Sequence, residues 1–186
     1  MHAADVVTAL LTSTVRPPSQ AHPPSAAGFY AWWCREERLA DADPVIPLES
    51  RPPVARPWSL LYVGISPSSA ASSRDIASRF RKDHVSGNIG GSTFRQSLAA
   101  LLLDTLKLQV RPGSDRSRLV TEAPLSRWME TSCGVTFARS DRPWELERAV
   151  IQQLNPPLNL DSGTHPFRTQ VSAQRTALRR ACGVGS

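Results

Sequence analysis

The stretch GFYAWWC, which occupies residues 28–34, decides the fold of this chain. It is a continuous aromatic and apolar run between turn-forming residues, and this pattern is typical of a buried β-strand. A second run of the same kind, SLLYVGI, occupies residues 59–65. Residues 36–58 between them are charged and rich in proline, so they predict a long loop. We expect the two strands to be antiparallel neighbours in one sheet.

Helical patterns dominate the rest of the chain. Residues 75–85 place Ile76 and Phe80 on one apolar side, and Ser92 is a favourable N-cap for a helix over Thr93–Leu108. Further predicted elements are a short helix at 124–129, a strand at 134–139, and helices at 143–154 and 172–182. Strands do not alternate singly with helices in this order. The sequence therefore predicts an α+β fold, a small mixed or antiparallel three-stranded sheet flanked by helices, with extra helices.

The length of 186 residues suits one domain with attachments. We expect an N-terminal appendage and proline-rich linker at 1–27, with a short helix over Asp5–Leu11. The main domain is predicted at 28–160, with an insert at 36–58, and a basic helical tail at 161–186. Proline and charge leave little to bury in segments 12–27 and 36–58, so we expect both to be poorly ordered without nucleic acid.

Composition narrows the class of partner. The net charge is +6, and all but two of the 22 basic residues are arginine. A basic surface suits nucleic acid. Codon bias toward arginine is the alternative explanation of the arginine excess, but it does not explain the positive net charge. The sequence has no run of about 18 apolar residues, so we expect no membrane span. Its first residues lack a basic region, so we expect no secretory signal. The three widely spaced cysteines indicate reduced thiols of a cytoplasmic protein.

Two short motifs carry the first hint of chemistry. Gly28 and Tyr30 are two residues apart in the first strand, and Tyr62 and Gly64 are two apart in the second. Residues two apart in a strand face the same side. In an antiparallel pair, the two phenols can meet above two glycines that leave room for a substrate backbone. Taken singly, each motif is more simply explained as an ordinary core tyrosine, because three-letter patterns are common.

The order of the later motifs strengthens the functional interpretation. A helix with Arg79 and His84 follows the second strand, and the string ERAVIQQLNPPLN follows at 147–159. This succession resembles the GIY-YIG nuclease superfamily over residues 28–159, with PPLN as its most specific part. The stretches at 87–95, 125–129 and 165–167 resemble a bacterial subgroup of stand-alone GIY-YIG proteins.

The resemblance implies a role for each matched residue. Tyr30 would help to activate the attacking water, and Tyr62 would orient water or phosphate. Arg79 would hold the scissile phosphate and stabilise its developing charge. His84 would match a histidine that lies close to the first tyrosine in some members. The implied substrate is nucleic acid, with DNA favoured over RNA.

Two further residues complete the implied site. Glu147 would match the single metal-binding carboxylate, and Asn159 the asparagine that supports the site. The implied cofactor is Mg²⁺ or Mn²⁺. Because Mg²⁺ keeps several waters and needs only one or two carboxylates, one glutamate suffices.

The proton acceptor stays open at this stage. A phenol with a pKa of about 10 is a poor base at neutral pH. A nearby arginine and a metal ion would lower that pKa, because both favour the phenolate. Alternatively, His84 can take the proton without such a shift.

Three positions leave alternatives open. Arg79 and His84 are five apart, which puts them about 140° apart on an α-helix. Either the helix ends before His84, or Arg81 binds the phosphate in place of Arg79. Glu145 is an alternative to Glu147 as the metal-binding carboxylate. We favour Glu147 because it lies on the packed side of its helix.

One further arginine is a candidate for substrate binding. Arg95 lies in the first turn of a predicted helix, where a positive charge is unfavourable to the helix dipole, so a phosphate contact is plausible there. The resemblance therefore implies a metal-dependent endonuclease, and the alternative is a nucleic-acid-binding module that has lost cleavage.

Overall fold

The computed structural model describes residues 2–48, 57–113 and 116–184, and its centre is a three-stranded antiparallel sheet. The strands are β1 (Gly28–Arg35), β2 (Trp58–Ser66) and β3 (Cys133–Arg139), in the order β2-β1-β3. Every side chain from Gly28 to Cys34 is buried, as the apolar run predicts. The predicted α+β class is confirmed, and the sheet is antiparallel throughout.

Helices supply the remaining regular structure. They are α1 (Ala3–Thr12), α2 (Ile76–Arg79), α3 (Thr93–Leu101), α4 (Ala123–Ser132), α5 (Pro143–Leu154) and α6 (Arg168–Ala181). A single π-helical turn, Phe80–Val85, continues directly from α2. Ser92 caps α3 as predicted, since its side chain accepts a hydrogen bond from the amide of Arg95. No helix in the described ranges is long and apolar enough to cross a membrane.

Helices cover the sheet on both faces. Phe29, Ala31 and Trp33 of β1 point to one face, where they join the core of α1 and α5. Tyr30, Trp32 and Cys34 alternate with them and join a larger core. The π-helical turn, α3, α4 and α6 contribute buried residues to that second core. The strand period of two therefore sends the first predicted tyrosine toward α2 and the π-helical turn.

Both outer edges of the sheet are covered. At the β2 edge, the amide of Leu158 donates to the carbonyl of Leu61 at 3.0 Å. At the β3 edge, Arg16 and Val135 exchange two backbone hydrogen bonds. Unpaired strand edges would otherwise be free to bind other chains. The segment after α5 is consequently fixed beside β2, which brings Asn159 next to the tyrosine motif.

The N-terminal segment packs against the domain. Val6 and Leu10 are fully buried, and α1 contacts α5 and β3. The carbonyls of Pro24 and Ala26 accept hydrogen bonds from the first amides of α2. The poor order expected for residues 12–27 in the absence of nucleic acid stays a prediction.

The insert at 36–58 departs from the expectation in its first part. Residues Glu36–Asp41 form a 3₁₀-helix, and Leu39, Ala42 and Ile46 are buried in the main core. The expectation that this segment has little to bury is therefore wrong for residues 36–48. Its apolar residues are few, but Leu39 in the short helix and Ala42 and Ile46 after it all face the domain. Residues 49–56 of the insert lie outside the described ranges.

Candidate active site

The two tyrosines emerge on the same face of adjacent strands, as predicted. Tyr30 pairs with Gly64, and Tyr62 pairs with Trp32. Opposed residues of an antiparallel pair share a face, so the two phenols lie diagonally across the β1–β2 ladder. They line an open cleft of about 160 Å³, and Arg79 and Glu147 are also part of its lining. Strand pairing thus brings the two tyrosines together, and α2 and α5 add Arg79 and Glu147.

The glycines of the two motifs serve a different purpose from the expected one. A Cβ atom on Gly64 would lie 2.4 Å from the Tyr30 hydroxyl oxygen, so the Tyr30 ring itself lies over this glycine. A Cβ atom on Gly28 would lie 2.2 Å from the carbonyl oxygen of Ala138 on β3. The expected room for a substrate backbone is therefore wrong at both positions. One glycine admits the Tyr30 ring and the other admits a neighbouring strand.

The π-helical turn resolves the spacing of Arg79 and His84. Its hydrogen bonds join residues five apart, as in the 2.9 Å bond from the amide of Ser86 to the carbonyl of Arg81. The extra residue in the turn returns residues five apart to the same side. His84 consequently hydrogen-bonds to Tyr30, and Arg79 lies on the same side, where its charge lowers the pKa of that phenol. The regular α-helix does end before His84, at Arg79, but the chain continues through His84 as a π-helix; which arginine binds the phosphate stays a prediction.

Arg79 is fixed by an acidic neighbour, and Arg81 lies outside the cleft. The guanidinium of Arg79 forms an ion pair with Asp83, which also accepts a 3.0 Å hydrogen bond from Arg74. Arg79 and Arg74 line the cleft, whereas Arg81 is exposed and does not. The sequence analysis did not include Arg74 or Asp83. The four-residue spacing of Arg79 and Asp83 was the available signal, because such pairs meet on a helix.

His84 is a buried, neutral partner of Tyr30. Its Nε2 lies 2.9 Å from the Tyr30 hydroxyl, and its Nδ1 lies 2.9 Å from the hydroxyl of Ser92. Burial, and after it the charge of Arg79, lowers the pKa of His84 to about 3. The expectation that His84 needs no pKa shift is wrong, because the interior disfavours the imidazolium. Sequence reasoning identified Ser92 only as a helix cap, and its contact with His84 depends on the tertiary fold.

Both phenols are held in the neutral form. Burial, and after it the repulsion that an ionised Tyr62 would exert, raises the pKa of Tyr30, while Arg79 acts in the opposite direction. Burial also raises the pKa of Tyr62, whose hydroxyl lies 3.2 Å from that of Thr93. The expected lowering by arginine is present at Tyr30, but desolvation exceeds it.

Asn159 supports the site from outside the tyrosine cleft. Its Oδ1 accepts from the amide of Val63 at 2.9 Å, and its Nδ2 donates to the carbonyl of the same residue at 2.8 Å. Val63 stands between Tyr62 and Gly64 in β2. The nearly buried Asn159 is therefore a positioning residue that fixes the strand carrying both.

Glu147 is the carboxylate that faces the cleft. It is half-buried on α5, and it also borders an adjoining cavity that contains Asp161. Burial, and after it the charge of Asp161, raises the pKa of Glu147. Glu145 instead is exposed and lies 3.4 Å from Arg142. The helical turn thus separates the two glutamates as their spacing of two residues predicts.

The donor set at Glu147 can be compared with what a metal ion needs. The described residues contain no group of three or more acidic, histidine or cysteine side chains that could enclose a metal. A transition-metal cage is therefore a poor fit for this part of the chain. One carboxylate in an open, polar cleft does fit Mg²⁺, which binds oxygen and retains most of its waters.

Arg95 has another function than the predicted one. Its side chain is completely buried, and its guanidinium donates to Glu122 at 2.8 Å, to Ser126 at 2.9 Å and to the carbonyl of His84 at 2.8 Å. The predicted phosphate contact is therefore not retained. Glu122 compensates the charge, and the arginine fixes the end of the π-helical turn that holds His84.

The comparisons with known proteins agree with this arrangement. A family model described as the GIY-YIG catalytic domain matches residues 28–181. The matched range begins at β1 and runs through α6, so it includes every residue of the cleft. The search of curated proteins and the search of solved structures returned no match.

Proposed function

Because the chain belongs to the GIY-YIG catalytic domain family, we propose that it is a metal-dependent endonuclease that hydrolyses phosphodiester bonds in nucleic acid, with DNA favoured over RNA. One observation carries the proposal. Tyr30, Tyr62, Arg79 and Glu147 come from four elements and line a single open cleft. Phosphodiester hydrolysis needs an oriented water, a cation on the phosphate and charge stabilisation at the leaving oxygen. The net charge of +6 and the free cysteines fit a cytoplasmic protein that acts on a polyanion.

Arg79 binds the scissile phosphate in this mechanism. Its planar guanidinium can contact two phosphate oxygens at once. Asp83 holds one side of the guanidinium in place, so less side-chain freedom is lost when the substrate binds. Arg74 adds a second positive charge at the same cleft.

Tyr30 and His84 form a proton pathway away from the attacking water. With the imidazole proton on Nδ1 and donated to Ser92, the Nε2 atom accepts from the Tyr30 hydroxyl. Tyr30 then takes a proton from the water at the same time as it passes its own proton to Nε2. The pKa of His84 is low in the empty cleft. A bound phosphate raises it, because a nearby negative charge favours the imidazolium.

Glu147 would hold the Mg²⁺ or Mn²⁺ ion. The bound ion supplies positive charge beside the phosphate and the leaving oxygen. Tyr62, whose hydroxyl is oriented by Thr93, faces the same space and orients water or phosphate there.

A glutamate pair on α5 provides the test. Glu147→Gln keeps the size of the side chain but removes the charge that holds the ion, so cleavage should be lost while nucleic-acid binding survives or tightens. Glu145→Gln is the matched control, because its side chain is exposed and outside the cleft. Cleavage is measured on plasmid, linear duplex, single-stranded DNA and RNA, with Mg²⁺, with Mn²⁺ and with a chelator.

The results separate the proposals clearly. Full activity of Glu147→Gln together with loss of activity in Glu145→Gln would contradict the assignment of the ion-binding carboxylate. A wild-type protein that binds these substrates but cuts none of them with either ion would instead be the non-catalytic binding module.

A further inference from the structure

A second cavity of about 220 Å³ adjoins the tyrosine cleft. Tyr62 and Glu147 belong to both spaces and form the boundary between them. Arg175 of α6 lines this second cavity, which opens between α5, α6 and the segment after α5. The two spaces therefore lie on opposite sides of the residues proposed to act at the scissile phosphate, and each contains an arginine.

We propose that Arg175 forms a second phosphate subsite, which binds the backbone phosphate next to the scissile one. The inference rests on the proposed function, because the identity of the ligand follows from a nucleic-acid strand lying in the cleft. A strand that places one phosphate at Arg79 must carry its next phosphate past Glu147 and Tyr62, in one direction or the other. The cavity of Arg175 occupies one of these two directions.

The guanidinium of Arg175 is held in place by a neutral group. Its Nε and Nη2 atoms both donate to the side-chain oxygen of Gln96, at 3.0 Å from Nε. Gln96 is itself nearly buried, and its Nε2 donates to the hydroxyl of Ser117 at 3.0 Å. Arginine has five N–H donors, so three of them remain available after the two bonds to Gln96. The side chain is thus oriented without being saturated.

The charge of Arg175 lacks a paired carboxylate. No ion pair joins Arg175 to an acidic side chain in the described part of the chain, and the residue is only partly exposed. Asp161 lines the same cavity and is exposed, outside ion-pairing distance. Burial, and after it the charge of Arg179, lowers the pKa of Arg175, while the charge of Asp161 acts in the opposite direction from across the cavity. A partly desolvated cation with free donors is costly unless an anion joins it.

Arginine is also the side chain best suited to this ligand. Its planar, delocalised fork matches two oxygens of one phosphate, whereas a hydrated lysine ammonium acts as a point charge. The subsite would add affinity and fix the register of the strand over Glu147. The helix that sequence analysis assigned to a basic tail would then be part of the substrate-binding surface.

Arg175→Gln, with Arg180→Gln as its control, tests the subsite. Both variants lose one charge from α6, but Arg180 is exposed and does not line the cavity. Binding to duplex and single-stranded oligonucleotides is measured with the full chain in chelator, so no cleavage is required. We expect Arg175→Gln to weaken binding by roughly 10-fold. We expect the slope of log affinity against log salt to fall by about 0.9 for duplex or about 0.7 for a single strand.

A scan with uncharged backbone linkages locates the phosphate that Arg175 contacts. Oligonucleotides with one methylphosphonate at each position in turn should show two sensitive linkages in the wild type, and Arg175→Gln should lose sensitivity at one of them. Arg175→Lys should keep the salt slope and lose only part of the affinity, because it keeps the charge without the fork. This variant also keeps the test valid if Arg175→Gln folds poorly.

Three results would overturn the subsite. These are an unchanged salt slope in Arg175→Gln, a loss of affinity that no single linkage explains, and a wild-type protein that binds no nucleic acid. The nuclease proposal fails separately, since a wild-type protein that binds and never cuts contradicts catalysis and leaves the Arg175 measurement intact.

Discussion

Gly64→Ala tests whether the Tyr30 ring occupies the position that the structure gives it. The added Cβ atom would lie 2.4 Å from the Tyr30 hydroxyl oxygen and 2.5 Å from the ring carbon that bears it. Ordinary contact begins near 3.4 Å, so the phenol must move by about 1 Å. The backbone conformation of Gly64 does not itself require glycine, because its φ angle lies outside the region that favours glycine.

The size of the effect follows from that displacement. Tyr30 is buried, and its hydroxyl is hydrogen-bonded to Nε2 of His84 at 2.9 Å. Its ring therefore cannot rotate aside without losing this hydrogen bond. A misplacement of about 1 Å in a catalytic site costs on the order of 100-fold in rate, which is about 2.7 kcal/mol in the activation free energy. Overpacking in a filled core costs a further ~1–3 kcal/mol of unfolding free energy.

The assay compares two glycine substitutions. Single-turnover cleavage at saturating enzyme reports the rate, and urea unfolding reports the stability. Gly91→Ala is the matched control, because its Cβ atom would meet only Asn88 atoms at 3.9 Å. We expect this control to keep the wild-type rate and to change stability by less than about 0.5 kcal/mol.

A folded Gly64→Ala protein that cuts at the wild-type rate would refute the reasoning. That result would mean that Tyr30 does not act from its place above Gly64. An equal loss of activity in Gly91→Ala would also contradict this explanation, because a Cβ atom on Gly91 would overlap no other atom.

Two further predictions concern stability. The pKa of His84 is about 3 in the folded protein and about 6.5 in the unfolded protein. Between these two pH values the unfolded state binds more protons than the folded state. The free energy of unfolding therefore falls as the pH is lowered through this window, by up to about 1.4 kcal/mol per pH unit. Urea unfolding at about pH 7 and about pH 5 should show a smaller acid effect in His84→Gln, and equal pH dependence would contradict the assignment. Asn159→Ala loses both side-chain bonds to Val63 and should cost roughly 2–4 kcal/mol of unfolding free energy; a loss below about 0.5 kcal/mol would show that the strand edge does not depend on it.

Local patterns were sufficient for the framework, whereas most of the candidate site residues came from the resemblance to a known family. The apolar runs around Tyr30 and Tyr62 identified two buried strands, because burial on both faces leaves a continuous apolar stretch. Ser92 identified the start of α3, because a capping side chain acts on the amide three residues later. Helical periodicity alone separated Glu147 from Glu145.

The failures share a physical cause in long-range contacts. Arg95 was assigned to phosphate because its helix end disfavours a cation, and its true partner, Glu122, lies 27 residues away. The π-helical turn could not be inferred, since a widened turn depends on what packs around it. Buried residues of segment 36–48 were missed because only the tertiary core gives Leu39, Ala42 and Ile46 a place to pack.

The sequence by itself determined the strand and helix segments and the chemical types available to the site. Those properties depend on side-chain periodicity and on capping, which act over a few residues. Only the tertiary structure decided which groups share the cleft and what protonation states they have. Desolvation sets the neutral forms of Tyr30 and His84, and burial by other elements cannot be read from neighbouring residues. The position of Arg175 beside Glu147 likewise depends on how α6 packs against α3.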